Sequence, residues 1–421
     1  MKRKFIAMVL CMVCFLLSAC GKTEPEPDMV TPSPTKRPKA TQAAKIGEVV
    51  TDPTEMKAMA GTIVSNMTLE EKIGQMFIVN LEQLDKSQGN YYEFRSFTDE
   101  MKASLEKYPV GGIILFARNI ESISQTKQLI NNAKQNTSVP LFISVDEEGG
   151  DVARIGNNSN MQTTQFPTME EIGKMNDENY AYNMGATIGS EIKDLGFNLD
   201  FAPVADVKTN EYNTEIGTRS FGSDADLVSR MVTQVVTGIQ DQGISATLKH
   251  FPGHGSTSED SHTNPVNADT DLLGLRSTEF KPFRAGIKAG ADFVMVSHIS
   301  ISKVTENTVP ASMSKIVVQD MLRKELGFEG VIITDAMDMG AITKKYKSGE
   351  AAVASIKAGV DIVLMSPDFE EAYEAVCNAV KDGEISEERI TESVQRIIQV
   401  KIKRGIILSD TDLLLPRTED D

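Results

Sequence analysis

The sequence predicts an α/β fold, a (β/α)8 barrel of the TIM type with allowance for irregularity, set behind a disordered N-terminal tether. Two observations predict it. Eight short apolar runs rich in β-branched residues alternate with longer helical patterns, and ionisable residues stand at or shortly after the ends of five of those runs. Runs that are apolar throughout, without alternation, are what parallel strands buried on both faces require. Eight strand–helix units in one chain then point to a closed barrel, with a doubly wound open sheet as the structural alternative.

The runs fall at residues 73–79, 112–116, 141–145, 199–203, 246–249, 293–297, 331–334 and 362–365. Helical patterns lie between them, among others at 122–135, 180–195, 224–242 and 350–358. Gly196, Gly243, Gly327 and Gly359 stand where helices should end, because glycine takes the left-handed conformation that closes a C-terminus. Asp146 follows the third run, Asp206 the fourth, Lys249 and His250 the fifth, His298 the sixth and Asp335 the seventh. A barrel gathers those ends on one face, the face where barrel enzymes carry their chemistry. Charges placed for stability alone belong on the opposite rim.

The chain ends set the boundaries. Met1 to Lys4 is basic, residues 5–17 are apolar, and Leu17-Ser18-Ala19-Cys20 supplies small residues and a cysteine. So short a run reads as a signal peptide rather than a membrane span. The segment resembles a bacterial lipoprotein signal, which implies cleavage before Cys20, lipid on its thiol and an extracytoplasmic protein held at the cell membrane. The expected organisation is a signal over residues 1–19, a lipidated cysteine and flexible linker over 20–52, and a catalytic barrel over 53–421. Loss of the signal removes Lys2, Arg3 and Lys4 and leaves a net charge of about −20. That balance opposes nucleic acid and anionic lipid surfaces. With Cys11 and Cys14 in the signal and Cys20 lipidated, Cys377 remains as a buried structural thiol with no disulfide to form.

The loop after the fifth run reads Lys249-His250-Phe251-Pro252-Gly253-His254-Gly255 and continues to Asp260-Ser261-His262. Pro252 and Gly253 break any helix that would set His250 and His254 on one face for a metal. Asp260 and His262 are two apart, so an extended loop projects both the same way. A carboxylate beside an imidazole fixes its tautomer and raises its basicity, which suits proton transfer. No second ligand cluster accompanies them in the sequence, so the expectation is chemistry without metal or other cofactor. His254 reads as a residue that structures the loop.

These residues together resemble the β-N-acetylglucosaminidase branch of glycoside hydrolase family 3. The likeness rests on the Lys249–Gly255 loop with Asp260-Ser261-His262, on Asp146-Glu147-Glu148-Gly149-Gly150 with Arg154, and on residues 198–207. It extends to Gly217-Thr218-Arg219-Ser220-Phe221-Gly222 and to residues 331–337, in order over most of 60–400. The resemblance implies that Asp335 is a nucleophile forming a covalent glycosyl intermediate. His262, oriented by Asp260, would then act as acid and base in place of the usual second carboxylate. It also implies that Asp146, Arg154, Arg219, Lys249 and His250 hold the hydroxyls and acetamido group of a terminal sugar. The expected substrate is an N-acetylglucosamine-terminated glycan, from cell-wall fragments or chitin, cleaved by a single-domain monomer.

Two positions depart from the family pattern: Ser256 stands where Asp is frequent, and Glu147 where Gln is usual. Either could alter loop mobility or the leaving-group side. Asp338 is the rival nucleophile, and Glu148 or Glu259 the rival proton donor. The competing functions are another family 3 glycosidase or phosphorylase, a metal-dependent hydrolase, and a non-catalytic lipoprotein that binds muropeptides. The absence of Trp favours a pocket for one sugar over a long aromatic cleft.

Overall fold

A computed structural model describes residues 47–258 and 260–415. The expected signal, lipid site at Cys20 and most of the tether lie outside those residues, as does Glu259. No helix among the described residues is long and apolar enough to cross a membrane.

Eight parallel strands close into a barrel: β1 (Phe77–Val79), β2 (Gly112–Ile114), β3 (Phe142–Val145), β4 (Leu199–Asp200), β5 (Ser245–Phe251), β6 (Phe293–Val296), β7 (Val331–Ala336) and β8 (Ile362–Leu364). Each pairs with its sequence neighbours, and β1 closes the ring on β8 through Phe77↔Val363 and Ile78↔Leu364. The open-sheet alternative falls with that closure. An antiparallel hairpin, Glu147–Gly149 with Val152–Ala153, stands on the end of β3.

All eight expected strands exist, but the first begins later than the apolar run suggests. Residues 73–75 belong to the helix Leu69–Gln75, because Thr68 and Glu71 form a reciprocal capping box that commits the segment to helix. At the other end of the expected linker, residues 47–52 are not free chain. Val50 is buried, and Ser409 N–H donates to the carbonyl of Glu48 at 3.0 Å. The long helices match their patterns closely, as in Ile123–Gln135 capped by Ser122 and Ala225–Asp241 capped by Asp224. Gly196 and Gly359 close their helices in the left-handed region, at φ 105° and 112°.

Charge is sorted between the two ends of the barrel. Below β8, buried Asp361 accepts from Ile332 N–H at 2.9 Å and Ser393 Oγ at 2.6 Å, and faces Arg323, Arg389 and Arg396. Below β6, Asp292 accepts from Ser245 Oγ at 2.9 Å and pairs with Lys403 and Arg404. Cys377 is free and buried.

Candidate active site

At the C-terminal mouth of the barrel lies a cavity of about 420 Å³. Asp146, Arg154, Arg219, Lys249, His250, His262 and Asp335 all line it. The seven come from β3 and its hairpin, the loop after β4, β5 and its loop, and β7, so only the closed barrel brings them together.

The ends of β3 to β5 build a wall of interlocked charges. Lys249 Nζ sits 2.8 Å from Asp146 and 2.7 Å from Glu148, and Arg219 grips Glu148 through both carboxylate oxygens at 2.7 and 2.9 Å. Arg154 stands 3.8 Å from Asp146. Burial would protonate Glu148, but the Arg219 and Lys249 charges hold its carboxyl far below the usual range. The same carboxylates hold the buried Lys249 ammonium above its usual value against desolvation. Glu148 therefore stays ionised as the anchor of two cations, and the expectation that it could serve as an alternative proton donor is set aside. Asp206 lies beneath and organises the wall, accepting His250 Nδ1–H at 2.7 Å and the backbone N–H groups of His250 at 3.2 Å and His254 at 2.6 Å. That bond leaves His250 Nε2 to face Arg219 at 3.4 Å. Fixed ionised donors and acceptors of this density suit a polyol, which offers little apolar surface.

Across the cavity, Asp335 ends β7 with Oδ1 accepting its neighbour's N–H at 2.8 Å. His298 braces the turn, donating from Nε2 to the Ala336 carbonyl at 3.0 Å while Nδ1 takes the Ser312 hydroxyl at 2.9 Å. Burial lowers the pKa of this imidazole, against the opposing charge of Asp335. Burial alone would raise the Asp335 carboxyl. The charges of His250 and His298, the Ala336 N–H and the charge of His262 outweigh it and leave the group below its ordinary value.

His262 reaches the cavity from the loop after β5. Its Nδ1 lies 2.9 Å from Asp260 Oδ1, as the spacing predicted, but also 3.3 Å from Glu215 Oε1. Glu215 is the cavity-lining partner of His262 that sequence reasoning missed. It is almost buried, whereas Asp260 is half exposed, and it also accepts Ser261 N–H at 2.9 Å and Ser261 Oγ at 2.7 Å. The Glu215 bond is the main reason the imidazole pKa rises to about 9, ahead of the opposing burial and the contribution of Asp260. Burial pushes Glu215 up, yet its bonds to His262 and Ser261 and the His254 charge bring it down to about 2. With Nδ1–H facing two carboxylates, Nε2 is the nitrogen left to meet a ligand. The only hint in the sequence was position, two residues before the Gly217-Thr218-Arg219 motif.

The two halves are fastened together through backbone. Gly340 N–H, in the turn after β7, donates to the His262 carbonyl at 2.8 Å, and Ala341 N–H donates to that of Ser261 at 3.2 Å. His254 is buried, its ring between Thr257 Oγ1 at 2.8 Å and Ser261 Oγ at 3.1 Å, which makes it the loop-structuring residue expected. Glu147 accepts Ile155 and Gly156 N–H at 2.8 and 2.7 Å, and burial raises it to about 7. It and Ser256 lie outside the cavity lining, so both departures bear on loop structure. Asp338 is exposed at the mouth. Glu215, Asp260 and His262 bring one ligand atom each within 4.8 Å of one another, a set that could hold a divalent cation in competition with the proton on Nδ1. The sequence supplied two of those three donors and could not supply the third.

Comparison with known proteins follows the same lines. Residues 68–400 match the family described as glycosyl hydrolase family 3 N terminal domain. The chain is 34% identical over 333 residues to β-hexosaminidase A of Pseudoalteromonas piscicida, covering 72% of this chain and 55% of that one. It is 34% identical over 275 residues to β-hexosaminidase of Idiomarina loihiensis, covering 64% of this chain and 81% of the relative. The barrel resembles the solved family 3 β-N-acetylglucosaminidase from Paenibacillus sp. str. FPU-7, with TM-score 0.75 and 37% identity over 84% of this chain and 66% of that one. The chain thus spans about half the length of the first relative and two thirds of the solved one.

Proposed function

The chain belongs to glycoside hydrolase family 3, and from that premise we propose that it is a retaining exo-β-N-acetylglucosaminidase with Asp335 as nucleophile and His262 as acid and base. The observation that carries the reading is one cavity lined by the Asp335 carboxylate and by the His262 imidazole, paired through Nδ1 with Asp260 and Glu215, opposite a wall of charged groups. The names of the relatives support the choice of sugar.

In the first step the Asp335 carboxylate attacks the anomeric carbon as the bond to the leaving oxygen breaks. The proton on His262 Nε2 passes to that oxygen, so no alkoxide departs. Glu215 and Asp260 stabilise the imidazolium beforehand and fix its tautomer through Nδ1. In the second step the neutral imidazole takes a proton from water, whose oxygen attacks the same carbon and frees Asp335. Two displacements retain configuration. Asp146, Arg154, Arg219, Lys249 and His250 hold the terminal sugar so that its anomeric carbon faces Asp335.

The wider reading is an extracytoplasmic monomer anchored by lipid on Cys20, acting on cell-wall fragments in peptidoglycan turnover or on chitin-type oligosaccharides, without a metal. The lipoprotein-like residues 17–20 support the anchor; persistence of lipid labelling in Cys20→Ser would remove it. For the chemistry, a 2-acetamido-5-fluoro glycosyl fluoride should label the enzyme covalently in the presence of a strong chelator, with the adduct mapping to Asp335. An adduct on Asp338, inverted product by proton NMR, or loss of turnover that zinc restores would overturn the assignment.

A further inference from the structure

Behind the charged wall stands a carboxyl that the proposed mechanism does not use. Glu279 lies outside the cavity lining, 3% exposed, where a π turn, Leu275–Glu279, runs into the helix Phe280–Lys288. That helix packs under the loop after β5. Phe251 stacks on Phe280 with ring centres 5.4 Å apart and meets Phe283 edge-on at 5.2 Å. Glu279 fills the space directly behind the Pro252-Gly253 turn. A Cβ at Gly253 would meet Glu279 Oε2 at 2.5 Å and its Cβ at 2.7 Å, and Gly253 itself has a φ of 123° that a side chain would strain. Val207 N–H, in the loop after β4, bonds to the same carboxyl. One side chain therefore touches both of the loops that Asp206 ties together.

The surroundings of Glu279 leave it without a counter-charge. Oε2 has no hydrogen-bond partner, and the carboxyl makes no ion pair among the described residues. On its own helix, Arg276 and Lys281 are paired with Glu325 and Asp226, and Arg284 acts on Glu325. From the loop after β5, His250 faces Asp206 and Arg219, and the His254 ring lies between Thr257 and Ser261. Burial, and after it the Asp206 charge, outweigh the Val207 N–H and raise the Glu279 carboxyl to about 8. Burial would protonate Asp206 too, but His250 and His254 hold that group below its ordinary value. Two neighbouring buried acids are thus pushed apart, with Asp206 ionised and Glu279 carrying its proton at neutral pH.

Asp206 in turn sets the wall. Its Oδ2 accepts His250 Nδ1–H at 2.7 Å and its Oδ1 accepts His254 N–H at 2.6 Å, and His250 lines the cavity. Resting on the glycosidase reading, we infer that Glu279 is a positioning residue for sugar binding, a wedge behind the Pro252-Gly253 turn and the Val207 loop that makes Asp206 present His250 to the terminal sugar. The wedge acts by shape. A second anion at this depth would oppose Asp206 and stand unpaired, whereas the neutral acid fills the same space without doing either.

The test measures kcat and KM on nitrophenyl β-N-acetylglucosaminide at pH 7, with the inhibition constant of N-acetylglucosamine, in the wild type, Glu279→Ala and Glu279→Gln. Glu279→Ala should raise KM and the inhibition constant about tenfold, with kcat within about twofold. Glu279→Gln keeps the shape without a charge and should restore both. A residue that served folding alone would lower the active fraction, and so kcat, while leaving KM where it was. Should Glu279→Ala not fold, Glu279→Asp withdraws the wedge by one carbon and should show the same rise in KM in smaller measure. Urea unfolding checks the proton. Below the unfolded value, near 4, both states hold it; above, the unfolded state releases it first, so the wild type loses stability until the folded group ionises near 8. The urea midpoints of wild type and Glu279→Gln should coincide at about pH 4, with a gap in favour of Glu279→Gln that is full by about pH 8. An unchanged KM in the Ala or Asp variant, no restoration by Glu279→Gln, or coincident midpoints at pH 8 would each overturn the wedge while wild-type turnover kept the glycosidase reading intact. Absence of turnover by the wild type would remove both.

Discussion

Glu215 changes what His262 is expected to do. An aspartate two residues away orients an imidazole, but a half-exposed partner is screened by solvent. A second carboxylate that is nearly buried holds the proton more firmly. With the imidazole raised to about 9, the proton that the proposed first step requires is in place at neutral pH. The sign follows directly. The first step needs the protonated form, so kcat/KM should hold through neutrality and fall as pH rises through about 9. Glu215→Gln removes the largest cause of the raised value and should move that alkaline limb down by about one unit or more, with Asp260→Asn moving it less. A limb that stays near 9 in Glu215→Gln would mean that His262 is not the group titrating. The sequence made Asp260 legible because proximity along the chain guarantees proximity in space. Glu215 was illegible because its loop meets that of His262 only after the barrel closes.

At the scale of elements, the strands were legible because parallel strands buried on both faces need continuous apolar runs, and these residues supply them. The ends were less so. The apolar pattern at residues 73–79 is shared between a helix and β1, and only the capping pair Thr68 and Glu71 divides it. What no pattern carried is the bonding of one loop to another. The Gly340 N–H bond to the His262 carbonyl links the end of β7 to the proposed proton donor, and a side chain at 340 has no room. A Cβ there would meet the Thr263 carbonyl oxygen at 2.5 Å and that of His262 at 2.9 Å. Gly340→Val should therefore push the His262 loop away while leaving Asp335 on its strand. Misplacement of a catalytic group by about 1 Å costs on the order of 10²-fold. The loss should fall on disaccharides, whose leaving oxygen needs a proton, far more than on nitrophenyl glycosides. Equal loss on both would show that the glycine serves folding rather than the placement of His262.

The whole molecule divides its charges between two rims, and the two sets behave differently. Asp146, Lys249, His250 and Asp335 stand at the C-terminal ends of their strands and line a cavity, with Asp206 and His298 bracing them from behind. Asp292 and Asp361 precede β6 and β8 and meet only protein: Asp361 is fully buried among Arg323, Arg389 and Arg396. The Arg323, Arg396 and Arg389 charges and the Ile332 N–H overcome burial and hold the Asp361 carboxyl below its ordinary value. Burial in turn lowers Arg323 to about 10, so the guanidinium depends on this carboxylate. Asp361→Asn keeps the shape but leaves several cations together without their counter-charge. Breaking a buried network by removing one partner costs about 3 kcal/mol or more, far above an exposed ion pair. The variant should unfold at lower urea than the wild type at pH 7, with kcat/KM on nitrophenyl N-acetylglucosaminide unchanged where it is folded. The pH dependence supplies the sharper check. A carboxyl whose folded pKa is depressed contributes stability above its unfolded value, near 4, and loses it as pH falls through the folded one. The gap in urea midpoint between wild type and variant should thus be full at pH 7 and shrink as the pH falls below about 4. A gap that is absent at pH 7, or a fall in kcat/KM as large as the fall in stability, would mean that the lower rim is not the separate stabilising device its geometry describes.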